Sequence, residues 1–263
     1  MDERTLTPSS SPGNIAIIGG TGFETLPPDI FAEPIDVETP AGPARVLSVA
    51  DNYTEPFKLF FLARHGPEHG LAPHEINYRA NILALLQLEA RYAFATNAVG
   101  SLRTDLPPGA FVLLDDFIDF TKRRDVTLYC SGQSRHTDFS LPYSSLLRSK
   151  VAQTAREQNI GITPRGTYLC CDGPRFESPA EVRLFRSWGA DVVGMTGLPE
   201  AIFAREAGIE YAALAIVTNI AAGLSDAPVS HDEVVASMAG SLPLLRDLCI
   251  GSAHALASDW SAG

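Results

Sequence analysis

Asp191-Val192-Val193-Gly194-Met195-Thr196-Gly197 and, one helix-length further on, Ala212-Ala213-Leu214-Ala215-Ile216-Val217-Thr218-Asn219 decide the fold. The first run reads as a short apolar strand ending in a turn. The second is apolar up to Thr218, the pattern of a parallel strand covered by helices on both faces. Its polar residues come at the carboxyl end, where open α/β sheets place their ligands. Thr196 and Asn219 are therefore the first candidates for chemistry.

Other segments repeat this design. Ile15-Ala16-Ile17-Ile18 runs into Gly19-Gly20-Thr21-Gly22, where glycines let backbone amides approach an anion and Thr21 adds a donor. This is neither a Walker loop nor a GxGxxG fingerprint, and taken alone it reads equally as a tight strand-to-loop turn. A proline-rich connection leads to hairpin strands around 44–49 and 57–62. The second ends in Ala63-Arg64-His65-Gly66, bringing a guanidinium fork and an imidazole to a strand end. Tyr92-Ala93-Phe94-Ala95-Thr96 forms a third strand that breaks into Asn97-Ala98-Val99-Gly100-Ser101. An isolated Arg-His pair is usually solvated surface; a series of polar strand ends argues for a site.

Helices are expected over about 77–90, 144–157 and 179–188. Ile82, Leu83, Leu85, Leu86 and Leu88 give the first a broad apolar face. Ser178 is a candidate N-cap, with Pro179 in the first turn. Glu177, just before the cap, reads either as a helix-dipole partner or as a carboxylate accepting N–H from a bound ring, with Phe176 beside it. Ser230 and Glu233 form a capping-box pattern that starts a final helix, putting His231 at its first position, on the rim of the strand ends or in solvent. That helix carries Val234, Val235, Met238 and Leu242 inward. Asp115, Asp116 and Asp119 alternate with apolar residues and read as strand-edge acceptors; no metal is assigned. The long polar segment 121–142, which contains His136, is of a kind that often serves function or an interface.

The chain has 263 residues, 45% of them hydrophobic, a mean hydropathy of +0.05 and a net charge of −11. It is read as one α/β domain, residues 14–263, with a central mixed twisted sheet flanked by helices, after a flexible tail over 1–13. The acidic balance opposes nonspecific nucleic-acid binding but allows a local anion site. No run is long enough to suggest a membrane span, and the N-terminus lacks signal-peptide character, so a cytoplasmic protein is expected. Cys130, Cys170, Cys171 and Cys249 show no zinc spacing and read as buried free thiols.

Taken together, Gly19-Gly20-Thr21-Gly22, Ala63-Arg64-His65-Gly66, Asn77-Tyr78-Arg79-Ala80-Asn81, Thr96-Asn97-Ala98-Val99-Gly100-Ser101-Leu102, Gly173-Pro174-Arg175-Phe176-Glu177 and Gly194-Met195-Thr196-Gly197-Leu198-Pro199-Glu200 resemble the trimeric purine nucleoside phosphorylases. Within these, the chain resembles the methylthioadenosine and methylthioinosine phosphorylase branch over nearly its whole ordered length. The resemblance implies phosphorolysis of a glycosidic bond to a free purine and ribose 1-phosphate or its 5-methylthio analogue, with inorganic phosphate as co-substrate and no cofactor. It implies a phosphate set of Thr21, Arg64, His65, the Ala98 amide and Thr196, with Met195 and Asn97 against the ribose. His136 matches, more loosely, a residue reaching the 5′ region from a neighbouring subunit. A homotrimer, or a hexamer, is the implied assembly.

At the base end the chain departs from the methylthioadenosine enzymes. Where they carry Thr-Asp-Tyr-Asp it reads Thr218-Asn219-Ile220-Ala221, and Glu177 stands where they have serine. An amide can accept from a protonated N7 and donate to O6, and a carboxylate can accept from N1–H, which neutral adenine lacks. Both changes favour a 6-oxopurine, and the family resemblance implies Asn219 and His65 as the catalytic residues. His231 resembles the 5′-hydroxyl histidine of inosine and guanosine enzymes, whereas the 77–81 and 219–223 motifs resemble the methylthioinosine branch. The alternatives are a methylthioadenosine phosphorylase, a hydrolytic nucleosidase and a nucleoside-binding protein without turnover.

Overall fold

The computed structural model describes residues 13–23, 32–49, 57–66, 70–129, 136–225 and 231–261. Residues 1–12 of the expected tail, Cys130 and the Ser230 cap lie outside them. Strand β1 (Asn14–Gly19) lies parallel to β4 (Leu59–Ala63) on one side and to β5 (Ala90–Ser101) on the other. Beyond β4 come β3 (Gly42–Val49) and the edge strand β2 (Ala32–Thr39), both antiparallel. The expected connection before β3 is thus itself a strand. Pro34 is tolerated because an edge strand can forgo one ladder N–H.

Past β5 the sheet divides. The strand β11 (Glu210–Ile220) runs parallel to β5 along nearly its whole length and pairs antiparallel with β6 (Phe111–Leu113), which pairs with β8 (Ile162–Thr163). The other branch runs from the end of β5 through β10 (Val192–Gly194) and β9 (Thr167–Cys170) to β7 (Asp116–Asp119). The result is an 11-stranded mixed sheet, as expected.

Alternation along the central strands fills both faces. Ala16, Ile18, Ala213, Ala215 and Val217 pack in one cluster with Ile82 and Leu85 of α1 (Tyr78–Gln87) and Phe203 of α4 (Glu200–Ala207). Ile15, Ile17, Ala212, Leu214 and Ile216 join a second cluster with Leu147 and Val151 of α2 (Ser145–Glu157) and Leu245 and Leu248 of α5 (His231–Ser261). A third, with Val182 and Phe185, lies beneath α3 (Pro179–Ser187). Side chains that are apolar on both faces of a strand thus specify helices on both faces. Asn77, Ser144 and Ser178 cap their helices through side-chain oxygens.

Two strand expectations change. The third strand does not break at Thr96 but continues to Ser101, because after Ala95 it exchanges β1 for β10 as its neighbour while β11 stays beside it. The run 111–120 is two strands, β6 and β7, belonging to different branches. Asp115 lies at the switch, accepting from the Gly166 amide at 3.0 Å, and Asp119 accepts from both the amide and hydroxyl of Thr121. These aspartates are the structural acceptors that the alternation suggested.

Candidate active site

Where β5 leaves β1 and has not yet met β10, its edge between Ala95 and Gly100 is open on that side. A cavity of about 470 Å³ fills the gap, bounded by the ends of β1, β4, β5, β10 and β11, the loop before α3 and Val234 in the first turn of α5. This is a switch point at the carboxyl ends of strands, where a doubly covered sheet offers a crevice.

The cavity lining includes Thr21, His65, Ala98 and Thr196. Gly20 makes the approach possible. Its amide donates to Thr96 Oγ1 at 2.9 Å, and a Cβ there would lie 2.7 Å from both Arg64 Nη1 and the Thr96 carbonyl. His65 Nδ1 donates to the Leu71 carbonyl at 2.9 Å, so Nδ1 carries a proton and Nε2 is the other working nitrogen. Asn97 Nδ2 donates to Thr196 Oγ1 at 3.2 Å, which orients the Thr196 O–H for donation elsewhere. Asn97 Oδ1 is buried without a hydrogen-bond partner among the described residues.

Arg64 does not line the cavity. Its guanidinium is fully buried and held by Glu200 through two 2.7 Å bonds, with Nη1 on the Thr96 carbonyl at 2.8 Å. Glu200 also accepts from Tyr211 at 2.7 Å. Burial by itself lowers the Arg64 pKa, but the charge and hydrogen bonds of Glu200 outweigh it and the net shift is upward. The expected anion-binding arginine is therefore a neutralised pair directly behind the site. Breaking such a pair costs about 3–5 kcal/mol, because the surviving charge is left stranded.

The same lining includes Thr218, Asn219, Phe176 and Glu177. The pairing of β11 with β5 slips between Val217 and Asn219, so Val217 faces Val99 and Asn219 faces Gly100. The extra residue, Thr218, is a bulge, and it allows two consecutive side chains to line the same cavity. Asn219 Oδ1 accepts from Thr218 Oγ1 at 3.0 Å and Nδ2 donates to the Ile220 carbonyl at 3.2 Å. An amide has one further acceptor position and one further N–H beyond these.

Glu177 is not spent on the helix. Ser178 and Glu181 form the capping box of α3, and Arg175 grips Glu181 at 2.7 and 2.8 Å, chiefly through these bonds pulling its carboxyl down to about 2. Glu177 lies 9% exposed in the cavity wall, and burial raises its pKa.

Tyr168, which sequence reading passed over as strand core, supports the turn carrying Met195 and Thr196. Its fully buried hydroxyl accepts from the Thr196 and Gly197 amides at 3.2 and 3.1 Å. A Cβ at Gly194 or Gly197 would fall 2.8 or 2.7 Å from its ring, so both glycines let the turn fold down onto it. The ring's position in an apolar run gave no hint of this.

Of the sequence candidates, Thr21, His65, Ala98, Phe176, Glu177, Met195, Thr196 and Asn219 come together around one cavity. Asn97 stands behind Thr196 rather than in the lining. His136 is exposed and outside the lining. His231 is the first residue of α5, and its side chain is outside the description. No group of metal-ligating side chains occurs among the described residues.

A cavity at the strand ends, lined by hydroxyls, an imidazole, an amide and a buried carboxylate, is the crevice in which open α/β sheets bind small molecules. Residues 14–250 match the phosphorylase superfamily, and the chain belongs to that superfamily. It is 46% identical to the 6-oxopurine nucleoside phosphorylase of Pyrococcus furiosus, over 85% of this chain and 86% of that one. It is 42% identical to a probable S-methyl-5′-thioinosine phosphorylase of Methanothermobacter thermautotrophicus, over 84% and 76%. Among solved structures, the methylthioadenosine phosphorylase of Schistosoma mansoni in complex with adenine superposes with a TM-score of 0.84 at 32% identity, covering 91% of this chain and 90% of that one.

Proposed function

We propose that the protein cleaves the N-glycosidic bond of 6-oxopurine nucleosides with inorganic phosphate, giving the free base and a ribose 1-phosphate or 5-methylthioribose 1-phosphate. The observation that carries this reading is that Asn219 and Glu177 line the same cavity as Thr21, His65 and Thr196. The names of the 6-oxopurine and methylthioinosine relatives support it, and the methylthioadenosine neighbours support the sugar and phosphate chemistry.

Phosphate attacks the anomeric carbon as the bond to N9 breaks, and negative charge develops on the base, spread towards N7 and O6. A proton from solvent reaches N7 as the bond breaks, so the base leaves neutral; Asn219 is assigned to that form, its carbonyl accepting from N7–H and its N–H donating to O6. Glu177 accepts from N1–H, a bond a 6-aminopurine cannot make. Thr21, Thr196 and His65 hold phosphate below the sugar with neutral donors and the imidazole, and Arg64 contributes from behind as a fixed, Glu200-paired dipole. Holding both reactants in line supplies much of the acceleration.

The reading includes salvage of purines in the cytoplasm and a homotrimer. Val126 and Leu141, apolar side chains 80% and 64% exposed on either side of His136 in the chain, support a subunit contact there. Incubation of the protein with inosine or 5′-methylthioinosine, with and without phosphate, tests the reaction class. Base release that requires phosphate, with sugar 1-phosphate as co-product, is the expected result; phosphate-independent release of free sugar would make the protein a hydrolase.

A further inference from the structure

Arg124 sits in the long loop 121–129 and touches no residue by which the sequence could have marked it. Its side chain is only 5% exposed. Nη1 donates to the Leu198 carbonyl. Nη2 reaches the carbonyls of Met195 at 2.6 Å, Asp172 at 3.0 Å and Cys171 at 3.4 Å. Nε pairs with the Asp172 carboxylate at 3.6 Å, and the guanidinium lies over the Tyr78 ring, 5.1 Å from its centroid.

These acceptors belong to two different strand ends. Met195 and Leu198 flank Thr196 in the turn after β10; Cys171 and Asp172 begin the loop after β9 that carries Phe176 and Glu177. A single planar fork thus spans the two segments that supply Thr196 and Glu177 to the cavity. The loop bearing Arg124 is itself fastened on both sides. The Lys122 amide donates to Asp172 Oδ2 at 3.1 Å, Arg79 pairs with Asp125 at 3.1 Å, and Thr127 Oγ1 donates to Glu206 of α4 at 2.9 Å.

We propose that Arg124 is a positioning residue that sets the distance between Thr196 and Glu177, and so the alignment of phosphate with the leaving purine. The inference rests on the phosphorolysis reading for its substrates. Five N–H groups in a fixed plane can serve this many carbonyls at once, whereas a lysine ammonium cannot reproduce the fork. Misplacement of one reactant by about 1 Å can cost on the order of a hundredfold in rate.

The test compares wild type with Arg124→Lys and Arg124→Ala, each checked for folding by circular dichroism and thermal melting. Phosphorolysis of inosine and the dissociation constants of hypoxanthine and of phosphate, each measured alone, are then determined. A positioning role predicts a folded Arg124→Lys enzyme with kcat lowered about tenfold or more while phosphate or hypoxanthine alone binds within about threefold of wild type. Added guanidinium should restore part of the Arg124→Ala rate. Folded variants with wild-type kcat and KM would overturn the proposal, and so would a loss confined to melting temperature and to the fraction of active protein. Failure of wild type itself to phosphorolyse inosine or methylthioinosine would instead count against the proposed reaction and is read separately.

Discussion

In the proposed reaction, Asn219 and Glu177 divide the recognition of a purine between an amide, which can give and take, and a carboxylate, which when ionised only takes. Asn219→Asp removes the donor to O6 and supplies a group that can accept from a 6-amino substituent. It is expected to narrow the preference for 6-oxo over 6-amino nucleosides by at least about tenfold, since a lost or unpaired hydrogen bond in a buried site is worth on the order of 1–3 kcal/mol. Paired kcat/KM values for methylthioinosine and methylthioadenosine check this, and an unchanged ratio would remove Asn219 from base selection. Glu177 must be ionised to accept N1–H, and burial raises its pKa, so oxopurine turnover should decline as pH falls through that raised value. The stability sign is opposite. A carboxyl whose pKa is raised on folding favours the fold below the ordinary carboxylate range, and that advantage is lost as pH rises through the raised value. Glu177→Gln should therefore melt no lower than wild type at neutral pH, with any gain fading in acid, while its activity on oxopurines falls and loses the acid limb of its pH profile. Melting curves and pH–rate profiles of the two proteins decide it.

At the scale of elements, the bulge at Thr218 does what a regular strand could not. Strict alternation would send Asn219 to the face opposite Thr218; the extra residue turns both towards the cavity. Deleting Thr218 closes the ladder with Asn219 still opposite Gly100, but removes the hydroxyl that donates to Asn219 Oδ1 at 3.0 Å and straightens the strand at the cavity. The deletion variant should keep its far-ultraviolet dichroism and lose at least about a hundredfold in kcat/KM, the scale on which misplaced groups act; wild-type turnover by a folded deletion variant would refute the role of the bulge. The apolar runs around Ile15–Ile18 and Ala212–Val217 made the buried strands readable, and Asn77, Ser144 and Ser178 marked their helices. The bulge was not readable, because Thr218 fits the strand pattern and only the register against Gly100 exposes it. Strand β2 was hidden by Pro34, which reads as a breaker until the strand is seen to be an edge. The continuation of β5 past Thr96 was hidden because Asn97 and Gly100 look like a strand's end, whereas β10 gives them a new neighbour.

Across the whole molecule, the residues that line the cavity were largely legible and the residues that hold them were not. Thr21, His65, Thr196 and Asn219 stand at the ends of apolar runs, so their position along the chain indicates their place in the fold. The pairing of Arg64 with Glu200, separated by 136 positions, leaves no local trace, and it puts an arginine expected among the anion ligands in a buried ion pair outside the cavity lining. Tyr168 and Arg124 likewise act on backbone amides and carbonyls, which every sequence has and no sequence marks. In the proposed reaction the acidic chain, with net charge −11, recognises phosphate through a local arrangement of donors rather than through excess positive charge. Selection of the purine in the proposed reaction rests on Asn219 and Glu177. Its most direct test is the ratio of kcat/KM for 5′-methylthioinosine to that for 5′-methylthioadenosine, measured on the wild-type protein at saturating phosphate, where the two substrates differ only in the purine. The arrangement of Asn219 and Glu177 predicts a ratio of at least about a hundred, the discrimination expected of a site built to hydrogen-bond one ring and leave its own groups unpaired with the other. A ratio near one, or one favouring methylthioadenosine, would contradict it.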